Sequence, residues 1–309
     1  MKNTKSAFIA IIGRPNVGKS SLINKILPHK IAAVSSKPQT TRTRIMGVLT
    51  EKENQLVFID TPGFHKPKNV LGENMVKAIN AGLTDVDAAI LVVDAAPKFK
   101  LNEGELPPAE EELISVINKR KIPAILAINK IDLIKNKEDL LDIIITYTNR
   151  HNFDAVVPIS ALDGDGIKEL IEEAKKFSHD SIHYFAEDDI TDQPERVLVS
   201  EIIREKLLRL LDKEIPHGIA VDIEQFYERD NKNGEPVIEV GAVIYCERDS
   251  HKGIIIGKNG TMLKRVGTKA RIDIEEFFGC KCSLKLWVKV KEGWRNNPAS
   301  IHNFGLDIK

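Results

Sequence analysis

The sequence predicts two domains: an α/β domain on a mainly parallel sheet with helices on both faces, then a smaller α+β domain. Three observations carry this. From Ala7 to Phe177, apolar β-prone runs alternate with helical stripes, and several runs are apolar on both faces, as in the strands of a covered parallel sheet. A glycine loop, Gly13-Arg14-Pro15-Asn16-Val17-Gly18-Lys19-Ser20, stands between the first run and the first stripe. After a polar stretch the order becomes helix, two strands, two helices and a strand. The 309 residues suit two domains. We expect an α/β domain at 1–178, a linker at 179–195 and the second domain at 196–309.

Composition excludes more than it assigns. Lys+Arg and Asp+Glu are both 45, so net charge names no partner and any basic surface must be local. The three cysteines, Cys246, Cys280 and Cys282, are odd in number and lack C-x-x-C spacing, which speaks against a disulfide framework or a zinc site. Met1 to Ser6 is too short and polar for a signal peptide, and no apolar run approaches a membrane span. A cytoplasmic protein is expected.

The elements follow in order. Ala7 to Ile12 reads as a buried strand. Ser21 to Leu27 places Leu22, Ile23, Ile26 and Leu27 on one helical stripe. Residues 35–44 are polar and aperiodic, hence a loop. Met46 to Thr50 and Gln55 to Ile59 form a hairpin ending at Asp60-Thr61-Pro62-Gly63. Phe64 to Leu71 has no period and reads as mobile. Asn74 to Leu83 is helical and Ala88 to Asp94 a strand. Pro97 to Pro108 is a loop and Ala109 to Lys121 a helix. Ile122 to Ile128 is a strand running into Asn129-Lys130-Ile131-Asp132. Helix Glu138 to Arg150, strand Ala155 to Ile159 before Ser160-Ala161, and helix Gly166 to Phe177 complete the domain. Every polar motif lies at the carboxyl end of a strand, where such sheets bind ligands. In the second domain, Arg196 to Glu214 is a helix, and Gly218 to Phe226 and Pro236 to Glu247 are strands. Two helical stretches joined by Gly257-Lys258-Asn259-Gly260 and a strand at Ser283 to Val290 follow.

The glycine loop fits G-x-x-x-x-G-K-[ST]. Its backbone N–H groups and the following helix N-terminus offer fixed positive charge to a phosphate. Lys19 reaches the β- and γ-phosphates, and the Ser20 hydroxyl suits Mg²⁺. Asp132 is an acceptor matched to the N1–H and N2–H donors of guanine and mismatched to adenine, whose N1 is an acceptor. Asn129 suits N7, the Lys130 stem covers the base, and the Ala161 N–H reaches O6.

Gly13–Ser20, Gln39–Thr43, Asp60–Gly63, Asn129–Asp132 and Ile159–Ala161 resemble, in order, the five G-motifs of translation-factor-class GTPases. The resemblance implies a P-loop GTPase three-layer sheet that binds GTP and GDP with Mg²⁺. It assigns nucleotide contacts to Gly13, Arg14, Pro15, Asn16, Val17, Gly18, Lys19, Ser20, Ser21, Asp60, Thr61, Pro62, Gly63, Asn129, Lys130, Asp132, Ser160 and Ala161. Mg²⁺ falls to Ser20, Asp60 and a loop threonine, Thr41 favoured over Thr40. Lys19, Thr41, Asp60, Gly63 and Asn16 are the expected catalytic set. Phe64 stands where Ras-like members carry a water-orienting glutamine, and no obvious substitute exists; His65 follows it. Hydrolysis is expected to be slow unless a partner or ion assists. Asn16 has two readings: a K⁺ ligand, or a residue holding the loop by a side-chain bond.

Gly257-Lys258-Asn259-Gly260 follows Ile254-Ile255-Ile256. Glycines there let a loop approach a nucleic-acid backbone, as in KH domains. From Ser250 to Arg295, eleven basic residues face four acidic ones, leaving +7 in a chain of zero net charge. Such a field favours phosphate. RNA contacts are expected from Gly257, Lys258, Asn259, Gly260, Lys252, Lys264 and Arg265. The element order resembles the type II KH fold. A G-domain followed by a KH domain, with GRPNVGKSSLINK, PQTTR, DTPG, NKID, HKGIIIGKNG and Trp294-Arg295, is similar to the Era family over nearly the whole chain. That resemblance implies binding of the 3′ end of 16S rRNA, association with the small ribosomal subunit, and a role in its assembly. It also implies peripheral contact with the inner face of the membrane; no DNA partner and a monomer are expected. A GTPase switch is the leading reading. An RNA-binding scaffold with a non-switching G-domain is the rival, and intact Lys19, Ser20, Asp60 and Asp132 speak against it.

Overall fold

The computed structural model describes residues 4–37, 39–64, 67, 69–95, 105–212 and 215–306. The chain forms two compact units. The first comprises Met1–Ala32, Thr41–Lys66 and Met75–Asp192; the second comprises Ala33–Thr40, Pro67–Asn74 and Gln193–Lys309.

The first unit contains β1 (Lys5–Ile12), α1 (Lys19–Ile26), β2 (Ile45–Glu51) and β3 (Asn54–Asp60). Then come α2 (Val70–Gly82, of which Met75 onward belongs to this unit), β4 (Ala88–Asp94), α3 (Pro108–Arg120), β5 (Ala124–Asn129), α4 (Lys137–Thr148), β6 (Ala155–Ile159), α5 (Ile167–Lys175) and β7 (His179–Asp180). The sheet runs β2-β3-β1-β4-β5-β6, with the two-residue β7 added to β1. All neighbours along it are parallel except the β2–β3 hairpin. Strand β5 is buried throughout and β4 nearly so, because helices cover both faces. Leu113, Ile114 and Ile117 of α3 pack with Leu91, Val93, Leu126 and Ile128 in one core cluster.

Three elements differ from expectation, each for a visible reason. Helix α2 starts at Val70 rather than Asn74, because Asn69 Oδ1 accepts from the Gly72 N–H at 2.8 Å and caps it. Residues 179–192, part of the linker expected at 179–195, run along the first unit instead. Ser181 N–H donates to Thr4 O, the Gln55 amide to Phe185 O and Val48 N–H to Ile190 O. Gln55 is fully buried within a strand, so its polar amide recruits the passing chain. A short helix also follows the last strand, capped by Asn297 and opened by Pro298. Residues 97–104 of the expected loop, and His65, lie outside the described residues.

The second unit contains α6 (Glu195–Leu210), β8 (Ala220–Asp230), β9 (Pro236–Cys246), α7 (Asp249–Ile256), α8 (Thr261–Phe278), β10 (Lys281–Val290) and α9 (Pro298–Asn303). Its sheet order is β10-β9-β8, with β10 parallel and β8 antiparallel to β9. Val199, Ile203 and Leu207 of α6 and Val266, Ala270 and Ile274 of α8 cover one face. The cysteines are free, and Cys282 lies in this core. Among the described residues no helix is long and apolar enough to cross a membrane.

Candidate functional site

The carboxyl ends of β1, β3, β5 and β6 converge on one site. Gly18 caps α1 in a left-handed conformation (φ 102°). A Cβ there would come within 2.2 Å of Asn129 Nδ2, so the loop tolerates only glycine at its closest approach to β5. Lys19 is 6% exposed, and its ammonium donates to the carbonyls of Gly13 at 3.0 Å and Arg14 at 3.1 Å. Burial lowers its pKa to about 8, and Asp60 partly offsets this. Burial likewise raises Asp60 to about 6, against Lys19 and the Ser20 and Thr41 hydroxyls. Both charges are thus held in a poorly solvated place.

Three oxygens gather beside Lys19. Ser20 Oγ lies 2.8 Å from Thr41 Oγ1 and donates to Asp60 Oδ2 at 2.9 Å; Thr41 Oγ1 lies 3.4 Å from the same carboxylate oxygen. The other carboxylate oxygen, Asp60 Oδ1, is buried with no hydrogen-bond partner among the described residues. Thr40 faces elsewhere, bonding Lys37 O and Ser35. The Thr61 hydroxyl donates to Ile11 O inside the fold. Phe64 packs against the first unit's core, and its N–H donates to Gly13 O at 3.2 Å.

At the expected base site, Asn129 Nδ2 donates to Val17 O at 2.7 Å, tying β5 to the glycine loop. The Ala161 N–H, expected to meet guanine O6, instead donates to Asn129 Oδ1 at 2.9 Å, since a buried donor takes the nearest acceptor. Asn129 keeps a second amide hydrogen for a ligand. Asp132 is exposed and oriented by Ser160 Oγ at 2.8 Å. Lys130 bridges Asn16 O at 2.8 Å and Asp94 Oδ2 at 2.6 Å. The loop is therefore held at Asn16 by that residue's carbonyl. Its side chain makes no hydrogen bond among the described residues. Ser21 follows Ser20 in α1, and Pro62 precedes Gly63, where a Cβ would lie 2.7 Å from Pro15 Cα.

Residues absent from the expected set support it. Glu110, fully buried on α3, accepts from Arg14 Nε at 2.6 Å and from the Tyr147 hydroxyl. Burial raises its pKa, against the Tyr147 bond and Arg14. A signal existed: Glu110 shares the buried stripe of Leu113, Ile114 and Ile117, where a lone carboxylate requires partners. Glu110→Ala should cost about 1–3 kcal/mol by removing the acceptor of the buried Tyr147 hydroxyl and the ion pair with Arg14, and should speed nucleotide release by loosening the loop. Urea unfolding and release of a fluorescent nucleotide check this; unchanged release would remove Glu110 from the site.

A second site lies on the other unit. Between α7 and α8, Gly257 adopts φ 73° and the turn Lys258–Gly260 leads into α8. A groove of about 400 Å³ follows, lined by Gly260, Leu263, Lys264, Gly267, Thr268 and Arg271 of α8, with Leu284 and Leu286 of β10. Of the expected residues, Gly260 and Lys264 line the groove, while Gly257, Lys258, Asn259, Lys252 and Arg265 do not. Thr268, Arg271, Leu284 and Leu286 were not expected, although 263, 264, 267, 268 and 271 keep helical spacing. An apolar floor between cationic side chains suits nucleobases beside phosphates.

Residues 33–40 belong to this same unit, held by α6. The Val34 N–H donates to Glu205 Oε2 at 3.2 Å, Arg209 Nε donates to Val34 O at 2.8 Å, and Arg204 donates to Thr40 O. Lys206 of α6 pairs with Asp273 of α8.

Residues 8–130 match the family described as 50S ribosome-binding GTPase, and residues 214–295 match the KH domain. Over 305 residues the chain is 50% identical to GTPase Era of Clostridioides difficile (strain 630), spanning 99% of each. It is 47% identical over 302 residues to GTPase Era of Ruminiclostridium cellulolyticum, spanning 97% of each. A crystal structure of Era in complex with MgGDPNP and nucleotides 1506–1542 of 16S ribosomal RNA matches at TM-score 0.91 and 36% identity, with 99% of this chain and 100% of that one covered. An Aquifex aeolicus Era variant bound to GDP and AlF4⁻ matches at TM-score 0.91 and 38% identity, with the same coverage.

Proposed function

The chain belongs to the Era family of GTPases, and we propose that it is a GTP-hydrolysing switch that binds the 3′ end of 16S rRNA through its KH domain. Its place is the assembly of the small ribosomal subunit, as a cytoplasmic monomer whose membrane contact is peripheral. One observation carries the nucleotide reading: the oxygens of Ser20, Thr41 and Asp60 cluster beside buried Lys19, with Asp60 Oδ1 left unpartnered. That donor set fits Mg²⁺, a hard cation that prefers oxygen. Ser20 and Thr41 would hold it, with Asp60 acting through water; the ion supplies positive charge to the phosphates. Lys19 meets the β- and γ-phosphates, and the Gly63 N–H the γ-phosphate. Asn16, whose side chain is exposed and unbonded, is our assignment for K⁺. Phe64 packs inward, so no side chain there orients the attacking water, and turnover is slow.

GTP and GDP should compete for this site and ATP should not. Asp132→Asn should shift preference toward xanthine nucleotides, because it replaces an acceptor by a donor at the base edge. Competition binding on purified protein checks both. Equal competition by ATP would sink the assignment, and hydrolysis in K⁺ against Na⁺ tests Asn16 in the same preparation.

The groove on α8 supports the RNA reading, and α6 supports the switch. Thr41 sits at Ser20 and Asp60, while its neighbour Thr40 is held by Arg204. Ordering of Thr41 at the nucleotide therefore bears on α6, which is ion-paired to the groove helix. RNA affinity should be higher with a non-hydrolysable GTP analogue than with GDP, typically five-fold or more. Arg204→Ala should shrink that ratio. Equal affinities in the two nucleotide states would leave RNA binding standing and favour the scaffold reading.

A further inference from the structure

Strand β10 has two working faces. Leu284 and Leu286 turn to the groove, while the alternate residues Lys281, Lys285, Trp287 and Lys289 are exposed on the other face. It is an edge strand, so no neighbouring strand separates the two faces along its free side. Trp287 is 45% exposed, which is high for a residue type that is strongly buried on average.

Its seat is built. Gly241 of β9 lies beneath it: a Cβ there would come within 3.3 Å of the Trp287 ring and 3.1 Å of Gln225 Cβ. Gln225 pairs with Gly241 where β8 slips register after Ile223. A glycine inside a strand weakens it and marks close approach; here it leaves room for the indole. The Trp287 N–H makes no hydrogen bond, and Lys285 makes no ion pair, among the described residues. Lys289 pairs with Glu224 of β8 at 3.1 Å.

We propose that Trp287 stacks a base of single-stranded RNA that leaves the groove across the β10 edge, with Lys285 meeting the adjacent phosphate. The proposal rests on the RNA reading of the groove. Continuity favours this occupant: Leu286 lines the groove, and Trp287 is the next residue of the same strand, on its other face. Chemistry favours it too. An exposed aromatic flanked by lysines along one strand suits a base and its phosphates, whereas the cores of protein interfaces are depleted in charge and in lysine.

The chain has two tryptophans. Trp294 is fully buried, with its indole N–H donating to Gly218 O at 3.0 Å, so solvent-accessible emission reports Trp287. The test uses the full chain and two RNAs from the 3′ end of 16S rRNA: one of about four nucleotides, the span of a KH groove, and one roughly three times longer. The longer RNA should quench the accessible emission and the shorter should not. Trp287→Ala should weaken the longer RNA roughly fivefold or more, the low end for one stacked base, and leave the shorter unchanged; Trp287→Phe should retain most of the affinity. Binding of the longer RNA with unaltered emission and equal affinity in Trp287→Ala would overturn the proposal and leave the groove reading intact. No binding of either RNA would remove both. Unchanged RNA affinity with loss of self-association in sedimentation would make the face a protein contact, which also overturns it.

Discussion

Lys19→Ala should lower GTP turnover by roughly a hundredfold or more, the loss expected when a fixed charge aimed at the developing transition state is removed. The ammonium is nearly inaccessible and held by two loop carbonyls. Asp60 attracts its charge, and burial outweighs that attraction. A cation kept there against desolvation costs stability. Its removal should therefore leave the fold intact, with thermal stability of the nucleotide-free protein unchanged or raised. Lys19→Arg should not rescue turnover, because the planar guanidinium is wider than an ammonium and does not fit the buried seat. Single-turnover hydrolysis beside a thermal melt separates the two effects. Turnover within threefold of the parent, with nucleotide bound, would show that the phosphates are neutralised by something other than Lys19.

Much of this site is legible in the chain because its parts are local. Gly13 to Ser20 is one turn, and Asp60, Asn129 and Ser160 each close or follow a strand whose apolar run is plain. The supporting residues are not local. Glu110 meets Arg14 across 96 positions, and sequence spacing carries no trace of that pairing. The sequence marks Asn129 as a candidate base contact but not as the brace between Val17 and Ala161, because the brace depends on how two strand ends approach. Residues 179–192 misled for a related reason. Their polar composition is that of a linker, yet buried Gln55 gives them a partner. In the second unit, helical spacing alone could have drawn Thr268 and Arg271 into the groove; Leu284 and Leu286 needed the parallel pairing of β10 with β9.

Gly257→Asp should abolish RNA binding, with a loss of at least a hundredfold, while GTP hydrolysis without RNA stays at the parental rate. Two costs coincide at this position. The backbone sits at φ 73°, outside the range that L side chains favour, and a Cβ would lie 2.8 Å from Met262 Cβ and 2.9 Å from Met262 N at the start of α8. The added carboxylate then stands where the loop must approach phosphate. Gly260→Asp separates the terms: its φ is 74°, yet nothing lies within 4 Å of a Cβ there. It should lose RNA through charge and local strain without a clash against α8, and Gly260→Asn should recover part of the affinity, since asparagine tolerates this conformation and carries no charge. Lys258→Ala should weaken binding less and lower the salt slope by about one, as for one phosphate contact. Fluorescence anisotropy across a salt series, with circular dichroism on each variant, reads all four. Parental affinity in a folded Gly257→Asp protein would place the RNA away from the turn between α7 and α8.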